Sequence, residues 1–386
     1  MTATPAITPH PKQHGTKPKR LLALDGGGIR GMISLEMLAR IEQIVKERAG
    51  AACLADYFDY VGGTSTGAII ATCISLGMSV DEIRKFYQDN GRGMFDKVGV
   101  FERLRTKFTD ENLARKLREV FNGFRPPDEE DSADITLGTK ALKTLLLVVM
   151  RNVTTDSPWP ISNNPFAKYN DRSREDCNLN LPLWQLVRAS TAAPTYFPPE
   201  TVEVGSHSFV FVDGGVTMYN NPAFVLFLMS TIAPYKCEWP VGEDEMLLVS
   251  VGTGAAADAN DRLKSGDLNL IYNASHIPGA LMNAAAVEQD KLSRVFGRCR
   301  HGAALERELG DLVDLKDFGE RNAKHFTYVR YNADLSREGL DALGLRNIRP
   351  EDVQQMDTID HMGELAAVGQ AAANEIDERH FDGFLA

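Results

Sequence analysis

The hydrophobic pattern changes period repeatedly from residue 19 onward, where short apolar runs alternate with segments of helical spacing. Residues 21–24 (LLAL) are an apolar run closed by glycines, which is typical of a strand buried on both faces. Ile33, Met37 and Ile41 then recur at helical spacing, and Gly50 ends that pattern. Strand, glycine turn and helix in this order predict an α/β fold with a mainly parallel central sheet.

The same alternation continues further along the chain. Residues 57–61 predict a second strand, and residues 68–76 predict the helix that follows its turn. Ser79 and Glu82 have the spacing of a capping box, which predicts a third helix reaching to about residue 90. The remaining predicted strands are residues 145–150, 209–212, 246–251 and 326–331.

Helical patterns dominate the last third of the chain, at residues 274–297 and 352–378. No linker-like stretch isolates this part, so we expect a core at residues 20–254 and a mainly helical extension at residues 255–386 packed on it. The first twenty residues contain four prolines and no acidic residue, and they lack the apolar segment of a secretory signal. Residues 1–19 are therefore predicted to be a disordered tail.

Composition narrows the possible partners. The net charge of −11 repels nucleic acid, so we expect no nucleic-acid polymer as a partner. The five cysteines include no C-x-x-C pair, which favours a reducing, cytoplasmic compartment and speaks against a structural metal. The purely apolar runs, among them residues 145–150, are far below the ~20 residues that a membrane-spanning helix needs.

The glycine turn after the first strand permits two kinds of site. Gly26, Gly28 and Gly31 satisfy G-x-G-x-x-G, which in a dinucleotide-binding protein cradles phosphates. That hypothesis requires an acidic residue at the end of the next strand, ~20 positions further on. The nearest candidates, Asp56 and Asp59, instead flank the strand that leads to GTSTG, so the dinucleotide hypothesis fails. The remaining hypothesis is that this glycine turn binds an oxyanion.

A second motif supplies a candidate nucleophile. Gly63, Ser65 and Gly67 match G-x-S-x-G, in which the glycines permit a strained strand-to-helix turn that lifts the serine oxygen clear of the backbone. The predicted strand before the motif and the helix after it are the context that this turn requires. The alternative on this segment alone is a polar turn whose serine caps a helix.

The candidate base for this serine is a carboxylate. No histidine occurs between His14 and His207, whereas Asp213 ends a predicted strand and is followed by two glycines. An aspartate with its ordinary pKa of about 3.9 is a poor base at neutral pH, so burial or stabilisation of the transition state must compensate. Backbone N–H groups of the Gly26 to Gly28 turn form the candidate oxyanion hole, which Arg30 stabilises or orients.

DGGGIRG, GTSTG and DGG, in this order, resemble the signature elements of the patatin-like phospholipases, a family that includes plant patatin and is similar in fold to cytosolic phospholipase A2. RASTAAPTYFPP (188–199) and YNNPA (219–223) resemble the family's segments before and after the aspartate strand. The resemblance covers residues 20 to about 254.

The resemblance implies a three-layer α/β/α fold without a metal or other cofactor. It implies Ser65 as the nucleophile that accepts the acyl group, Asp213 as its general base, and Gly27 and Gly28 as the main oxyanion donors near Arg30. The implied reaction is hydrolysis of a phospholipid or lysophospholipid ester through an acyl-serine intermediate at the inner face of the membrane.

A weaker resemblance concerns regulation. The chain length and the helical segment ALMNAAAVEQDKLSRVFG are similar to patatin-like effectors of bacterial anti-phage systems, which cyclic di- or oligonucleotides activate. This similarity implies a cyclic nucleotide as an activating partner, and a homo-oligomer stays open. Two other functions also stay open: hydrolysis of non-lipid acyl substrates, including peptides, and a binding or scaffold role without turnover.

Other residues have weaker functional signals. Apolar and basic residues mix between Met94 and Phe108, which predicts either a lid that faces lipid or ordinary amphipathic packing. His207 lies six residues before Asp213 on one predicted strand, a spacing of ~20 Å that makes it a poor relay partner. Arg188 and Ser190 are predicted either to line the site or to serve a structural role at a helix end.

Overall fold

A computed structural model describes residues 10–13, 17–95, 108–130, 133–194, 196–255, 270–306, 308–315, 323–357 and 359–385. The strands in these residues are β1 Lys19–Leu24, β2 Tyr60–Thr64, β3 Leu145–Asn152, β4 Ser157–Ser162, β5 Glu200–Val204, β6 His207–Asp213, β7 Met246–Val251, β8 Arg298–His301 and β9 Thr327–Tyr331. The helices are α1 Gly31–Ala49, α2 Leu54–Tyr57, α3 Thr66–Ser75, α4 Val80–Phe95, α5 Phe108–Asn122, α6 Leu183–Ser190, α7 Ala223–Thr231, α8 Leu270–Phe296, α9 Arg337–Ala342, α10 Pro350–Gln354 and α11 Met362–Ala373.

All of these strands join one sheet. Its order is β5-β6-β3-β2-β1-β7-β9-β8, and β4 also pairs with β3. From β3 to β8 every neighbouring pair is parallel, whereas β4, β5 and β6 form antiparallel pairs at the other end. The predicted mainly parallel sheet is confirmed. Because parallel strands end at the same edge, the loops after β1, β2 and β7 lie side by side there.

Helices cover both faces of the sheet. Alternate residues of β1 face opposite ways: Leu22 and Leu24 join a core with α1, α3 and α11, and Leu21 and Ala23 join a second core with α7. Helix α8 packs beside α7. The two cores are the two interfaces of a three-layer α/β/α arrangement, so the predicted fold class is confirmed.

The structure differs from the predicted strands at several places. Tyr57 ends α2 and β2 begins only at Tyr60, because the carboxylate of Asp56 accepts hydrogen bonds from the N–H groups of Ala52 and Cys53 and caps this short helix. Strands β4, β5 and β8 are not among the predicted strands. β4 (SPWPIS) contains two prolines, which its antiparallel pairing at one side of β3 tolerates.

The ends of the chain contact the sheet domain more closely than the predicted division suggests. Residues 255–386, predicted as a mainly helical extension, also supply β8 and β9 to the central sheet, while α11 packs along α1. Within the predicted tail, Gln13 donates to Asn164 Oδ1 at 2.6 Å and accepts from Trp239 Nε1 at 3.1 Å, and Lys19 begins β1. Residues 1–9 and 14–16 of that tail lie outside the described residues.

Candidate active site

Ser65 lies in a strained turn between β2 and α3. Its backbone has φ 55° and ψ −124°, a conformation that non-glycine residues rarely adopt. A Cβ atom on Gly63 would lie 2.1 Å from the carbonyl oxygen of Gly67, and one on Gly67 would lie 2.3 Å from the carbonyl oxygen of Leu24. Both glycines are therefore required for the turn to close against β1.

Hydrogen bonds from two other segments hold the turn in place. The backbone N–H of Ser65 donates to Ser190 Oγ at 2.9 Å, and that hydroxyl donates to the carbonyl of Val149 on β3 at 2.6 Å. The hydroxyl of Thr64 donates to the carbonyl of Tyr219 at 2.6 Å. Ser190 thus acts on the backbone of the candidate nucleophile, a role that its sequence position did not specify.

Asp213 is the last residue of β6, and its carboxylate faces Ser65. The Ser65 hydroxyl donates to Asp213 Oδ2 at 2.6 Å, and the backbone N–H of Gly215 donates to Oδ1 at 2.7 Å. The antiparallel register pairs Asp213 with Met150 of β3, which brings β6 beside the parallel part of the sheet. The two residues predicted as nucleophile and base are therefore in direct contact. His207 lies exposed at the opposite end of β6.

The carboxylate of Asp213 is buried. Burial raises the pKa of Asp213 from 3.8 to about 6, while the hydrogen bonds from Ser65 and Gly215 and the charge of Arg188 act in the opposite direction. Arg188, on α6, is itself fully buried and donates to the carbonyl of Pro198 at 3.3 Å. The carboxylate consequently has the raised basicity that the sequence argument required, and it stays mostly ionised at neutral pH.

The three glycines of the turn after β1 differ in whether their backbone N–H groups are already hydrogen-bonded. The N–H of Gly26 donates to the carbonyl of Asn220 at 3.1 Å, so Gly26 does not offer a donor for an oxyanion and its inclusion in the predicted hole is corrected. Gly27 and Gly28 have no acceptor for their N–H groups among the described residues. Gly28 has φ 60°, and a Cβ there would lie 2.2 Å from the carbonyl oxygen of Met356.

Arg30 connects the glycine turn to the C-terminal part of the chain. Its guanidinium donates to the carbonyl of Gln354 at 3.1 Å, and the neighbouring N–H of Ile29 donates to the carbonyl of Met356 at 2.9 Å. Burial lowers the pKa of Arg30 to about 10, although the charge of Asp25 opposes this change. These contacts support a role for Arg30 in orienting the turn.

A buried ion pair below the turn was not predicted from the sequence. Arg330 on β9 donates through two nitrogens to the two carboxylate oxygens of Asp25, at 2.8 and 2.5 Å, and to Ser250 Oγ at 2.7 Å. Asp25 is 5% exposed and Arg330 4% exposed. Burial lowers the pKa of Arg330, but the adjacent carboxylate more than offsets it, so the net pKa lies above its ordinary value. The pair fixes the residue that precedes Gly26.

Arg330→Gln is expected to destabilise the protein strongly. The substitution leaves the Asp25 carboxylate buried without its charged partner, which costs about 3–5 kcal/mol of unfolding free energy. Urea unfolding at neutral pH measures the effect. The double variant Asp25→Asn/Arg330→Gln removes both charges and is expected to be more stable than the single variant. A double variant as unstable as the single one would contradict this account.

Apolar side chains occur on segments that adjoin the candidate site. Met282 of α8 approaches the aspartate loop, since its Cε lies 3.0 Å from the position of a Cβ on Gly215. Exposed apolar side chains occur on segments that adjoin the site, namely Tyr196, Met218 and Leu281. The lid predicted between Met94 and Phe108 falls largely on residues 96–107, which lie outside the described residues.

Among the described residues, no cluster of three or more His, Cys, Asp or Glu side chains is arranged to hold a metal ion. In the same residues, no helix has the length and apolarity needed to cross a membrane.

The protein is thus a three-layer α/β protein in which a serine at a strand-to-helix turn donates a hydrogen bond to a buried aspartate beside a glycine turn. The family model of patatin-like phospholipases matches residues 22–227. The chain belongs to the patatin-like phospholipase family.

Curated relatives agree with this assignment. The chain is similar to a cGAMP-activated phospholipase of Escherichia coli (28% identity, over 61% of this chain and 63% of that protein) and to Patatin-17 of Solanum cardiophyllum (28% identity, 62% and 61%). The chain spans about three-fifths of the length of the curated relatives it matches. The crystal structure of VipD from Legionella pneumophila aligns with a TM-score of 0.42 at 16% identity, covering 94% of this chain and 67% of that one.

Proposed function

We propose that this protein is a serine acyl hydrolase that cleaves ester bonds of membrane phospholipids or lysophospholipids. The observation that carries the proposal is the 2.6 Å hydrogen bond from the Ser65 hydroxyl to the buried carboxylate of Asp213, made at a strained strand-to-helix turn. A structural serine would not require a positive φ that two glycines and Ser190 hold in place.

Acylation begins with proton transfer along this hydrogen bond. Ser65 Oγ attacks the ester carbonyl carbon while its proton passes to Asp213 Oδ2, and the carbonyl oxygen becomes an oxyanion. In this proposal the N–H groups of Gly27 and Gly28 stabilise that charge. The bond to the leaving alcohol then breaks, Asp213 returns the proton to the departing oxygen, and the acyl group stays on Ser65.

Deacylation uses the same groups with water as the nucleophile. Water attacks the acyl carbon and gives a proton to Asp213. The tetrahedral intermediate then collapses with rupture of the bond to Ser65 Oγ. That oxygen takes the proton back from Asp213, and the fatty acid leaves. No step requires a metal ion or an organic cofactor.

The lipid nature of the substrate rests on the family and on the apolar side chains near the site. The test compares hydrolysis of mixed phospholipid vesicles with hydrolysis of p-nitrophenyl butyrate by the same protein. Fatty-acid release from vesicles supports a lipid substrate. Turnover of the soluble ester without release from vesicles favours a non-lipid acyl substrate, and no turnover of either substrate under any activating condition favours a binding role.

The rate of the proposed reaction is expected to depend on pH through Asp213. Its pKa is about 6, and only the ionised carboxylate can accept the Ser65 proton. We therefore expect kcat/KM for p-nitrophenyl butyrate to fall about tenfold per pH unit below about pH 6 and to be level from about pH 7 to 8. A flat profile from about pH 4.5 to 8 would contradict the assignment of Asp213 as the base.

We further propose that a cyclic di- or oligonucleotide activates the enzyme as part of an antiviral response. The support is the relative described as a cGAMP-activated phospholipase, which matches 61% of this chain. Calorimetry with a panel of cyclic nucleotides, run beside the vesicle assay, tests the proposal. Binding of one nucleotide together with increased fatty-acid release is the expected result, and absence of binding by the whole panel counts against it.

The proposed place of action is the cytoplasm, at the inner face of the membrane. The five cysteines are all free thiols, which suits a reducing compartment. Fractionation of cells that express a tagged Ser65→Ala variant tests this location, since the variant avoids lipid damage during the experiment.

A further inference from the structure

Asn220 joins the loop after Asp213 to the glycine turn. Its backbone carbonyl accepts the N–H of Gly26 at 3.1 Å, and the carbonyl of the preceding residue, Tyr219, accepts the Thr64 hydroxyl. The Asn220 side chain is 7% exposed and therefore faces inward from this loop. The loop thus carries an amide side chain into the space between the two candidate catalytic motifs.

The position of this amide can be stated from its two glycine neighbours. A Cβ on Gly26 would lie 2.4 Å from Asn220 Oδ1 and 3.2 Å from Ser65 Cβ. A Cβ on Gly215 would lie 2.9 Å from Asn220 Oδ1 and 3.0 Å from Asp213 Oδ1. The Asn220 oxygen therefore shares Gly26 as a close neighbour with the Ser65 side chain and Gly215 with the Asp213 carboxylate.

This buried oxygen has no hydrogen-bond donor among the described residues. A buried carbonyl oxygen without a donor costs about 1–3 kcal/mol, so such groups call for an explanation. The two carboxylate oxygens of Asp213 have partners, since Oδ2 accepts from Ser65 and Oδ1 accepts from Gly215. Among these neighbouring side-chain oxygens of the described residues, Asn220 Oδ1 is the acceptor that lacks a donor.

The proposed hydrolysis requires such an acceptor at one step. The attacking water has two hydrogens, and in deacylation one of them passes to Asp213. The second hydrogen stays on the water oxygen. A hydrogen bond from this second O–H group to a fixed acceptor orients the water so that a lone pair of its oxygen faces the acyl carbon. During acylation the nucleophile is Ser65, which is held by its own covalent bond and by Asp213 and needs no second acceptor.

We propose that Asn220 is a catalytic residue that positions the hydrolytic water for deacylation; this rests on the proposed function. One water O–H donates to Asp213 and the other donates to Asn220 Oδ1. The water oxygen forms the bond to the acyl carbon as its first proton moves to Asp213, and the bond to Ser65 Oγ then breaks as that oxygen is reprotonated. Asn220 keeps its hydrogen bond throughout and neither gains nor loses a proton. Met282 of α8 also approaches Gly215, with its Cε 3.0 Å from the position of a Cβ there.

The test separates the two half-reactions in Asn220→Ala. We expect phosphonylation of Ser65 by a fluorophosphonate probe within about twofold of the wild-type rate. With p-nitrophenyl butyrate, the initial burst of p-nitrophenol is expected to persist while steady-state turnover falls about 10- to 100-fold. Butyrylated Ser65 should accumulate and be visible by intact-mass spectrometry. Asn152→Ala, which truncates another buried asparagine, is the matched control and should leave the ratio of burst to steady-state rate unchanged.

Asn220→Asp provides a second readout. It keeps an acceptor oxygen but places a like charge beside Asp213, so the inflection of the kcat/KM profile is expected to move to higher pH. Equal losses in labelling and turnover by Asn220→Ala would overturn the proposal, because they indicate a role in acylation or folding, and so would unchanged turnover. If folded wild-type protein is neither labelled nor active with any nucleotide of the activating panel, the proposed function itself fails and this inference fails with it.

Discussion

Ser65→Ala is expected to abolish both hydrolysis of p-nitrophenyl butyrate and labelling by a fluorophosphonate probe. The substitution removes the only atom that can form the acyl-enzyme bond in the proposed mechanism, and loss of a serine nucleophile typically lowers kcat on the order of 10⁴- to 10⁶-fold. The remaining rate should reflect water attacking a substrate that the glycine turn still polarises. Absorbance of released p-nitrophenol, followed over hours, measures the loss of hydrolysis. A gel of fluorophosphonate-labelled protein, run in parallel, measures the loss of labelling.

The control for this variant is Ser230→Ala, which truncates another buried serine at the end of α7. The Ser230 hydroxyl donates to the carbonyl of Phe227 and contacts none of the proposed catalytic groups. We expect Ser230→Ala to be labelled and active. Labelling of Ser65→Ala at the wild-type rate would show that another residue is the nucleophile.

Asp213→Asn is expected to lower kcat about 10²- to 10⁴-fold with little change in KM. The substitution keeps the shape of the side chain and the acceptor for the Gly215 N–H, but an amide cannot take the Ser65 proton. Residual activity should no longer show the inflection near pH 6. A variant that retains that inflection would show that a different group acts as the base.

The same substitution is expected to stabilise the fold at neutral pH. The folded-state pKa of Asp213, about 6, lies above the ordinary 3.8, so the folded protein binds the proton more tightly than the unfolded chain. Protonation of Asp213 therefore stabilises the folded state relative to the unfolded chain. This stabilisation is present at low pH and is lost as the pH rises toward 6. Removing the charge should recover on the order of 2–3 kcal/mol at pH 7.5 and almost nothing near pH 4. Urea unfolding of both proteins at the two pH values measures this difference, and equal gains at both would contradict the raised pKa.

The serine and aspartate were accessible from sequence because each lies at the end of a strand, with glycines at fixed spacing that only a tight turn requires. Their contact was not derivable, because it depends on β6 pairing antiparallel with β3 at the end of an otherwise parallel sheet. The direction of the Asp213 pKa shift follows from its burial, which a single sequence does not show.

The partners of the supporting residues could not be predicted, for a physical reason. Asp25, Ser190 and Asn220 act through partners on other strands or loops, and no local period or motif marks such long-range pairs. Arg330 lies beyond the segment that carries the family motifs, yet its two hydrogen bonds fix the start of the glycine turn. The strand content of residues 255–386 was underestimated because β8 has only four residues, too few to show an alternating pattern.

Gly26 has a different role from the one predicted from the motif. Three consecutive glycines suggested three free N–H groups, but the backbone of Asn220 uses the first of them. Gly26 is instead required because the Asn220 side chain occupies the space beside it. The glycine thus serves close packing, while Gly27 and Gly28 carry the proposed donors.

In the proposed mechanism, Ser65 carries the acyl group during turnover. Rapid acid quenching of the wild-type protein during hydrolysis of p-nitrophenyl butyrate, followed by peptide mass spectrometry, detects this acyl group. We predict a butyryl adduct on the peptide that contains Ser65, absent from Ser65→Ala and increased in Asn220→Ala. Steady turnover without any adduct on Ser65, or with the adduct on another residue, would contradict the account.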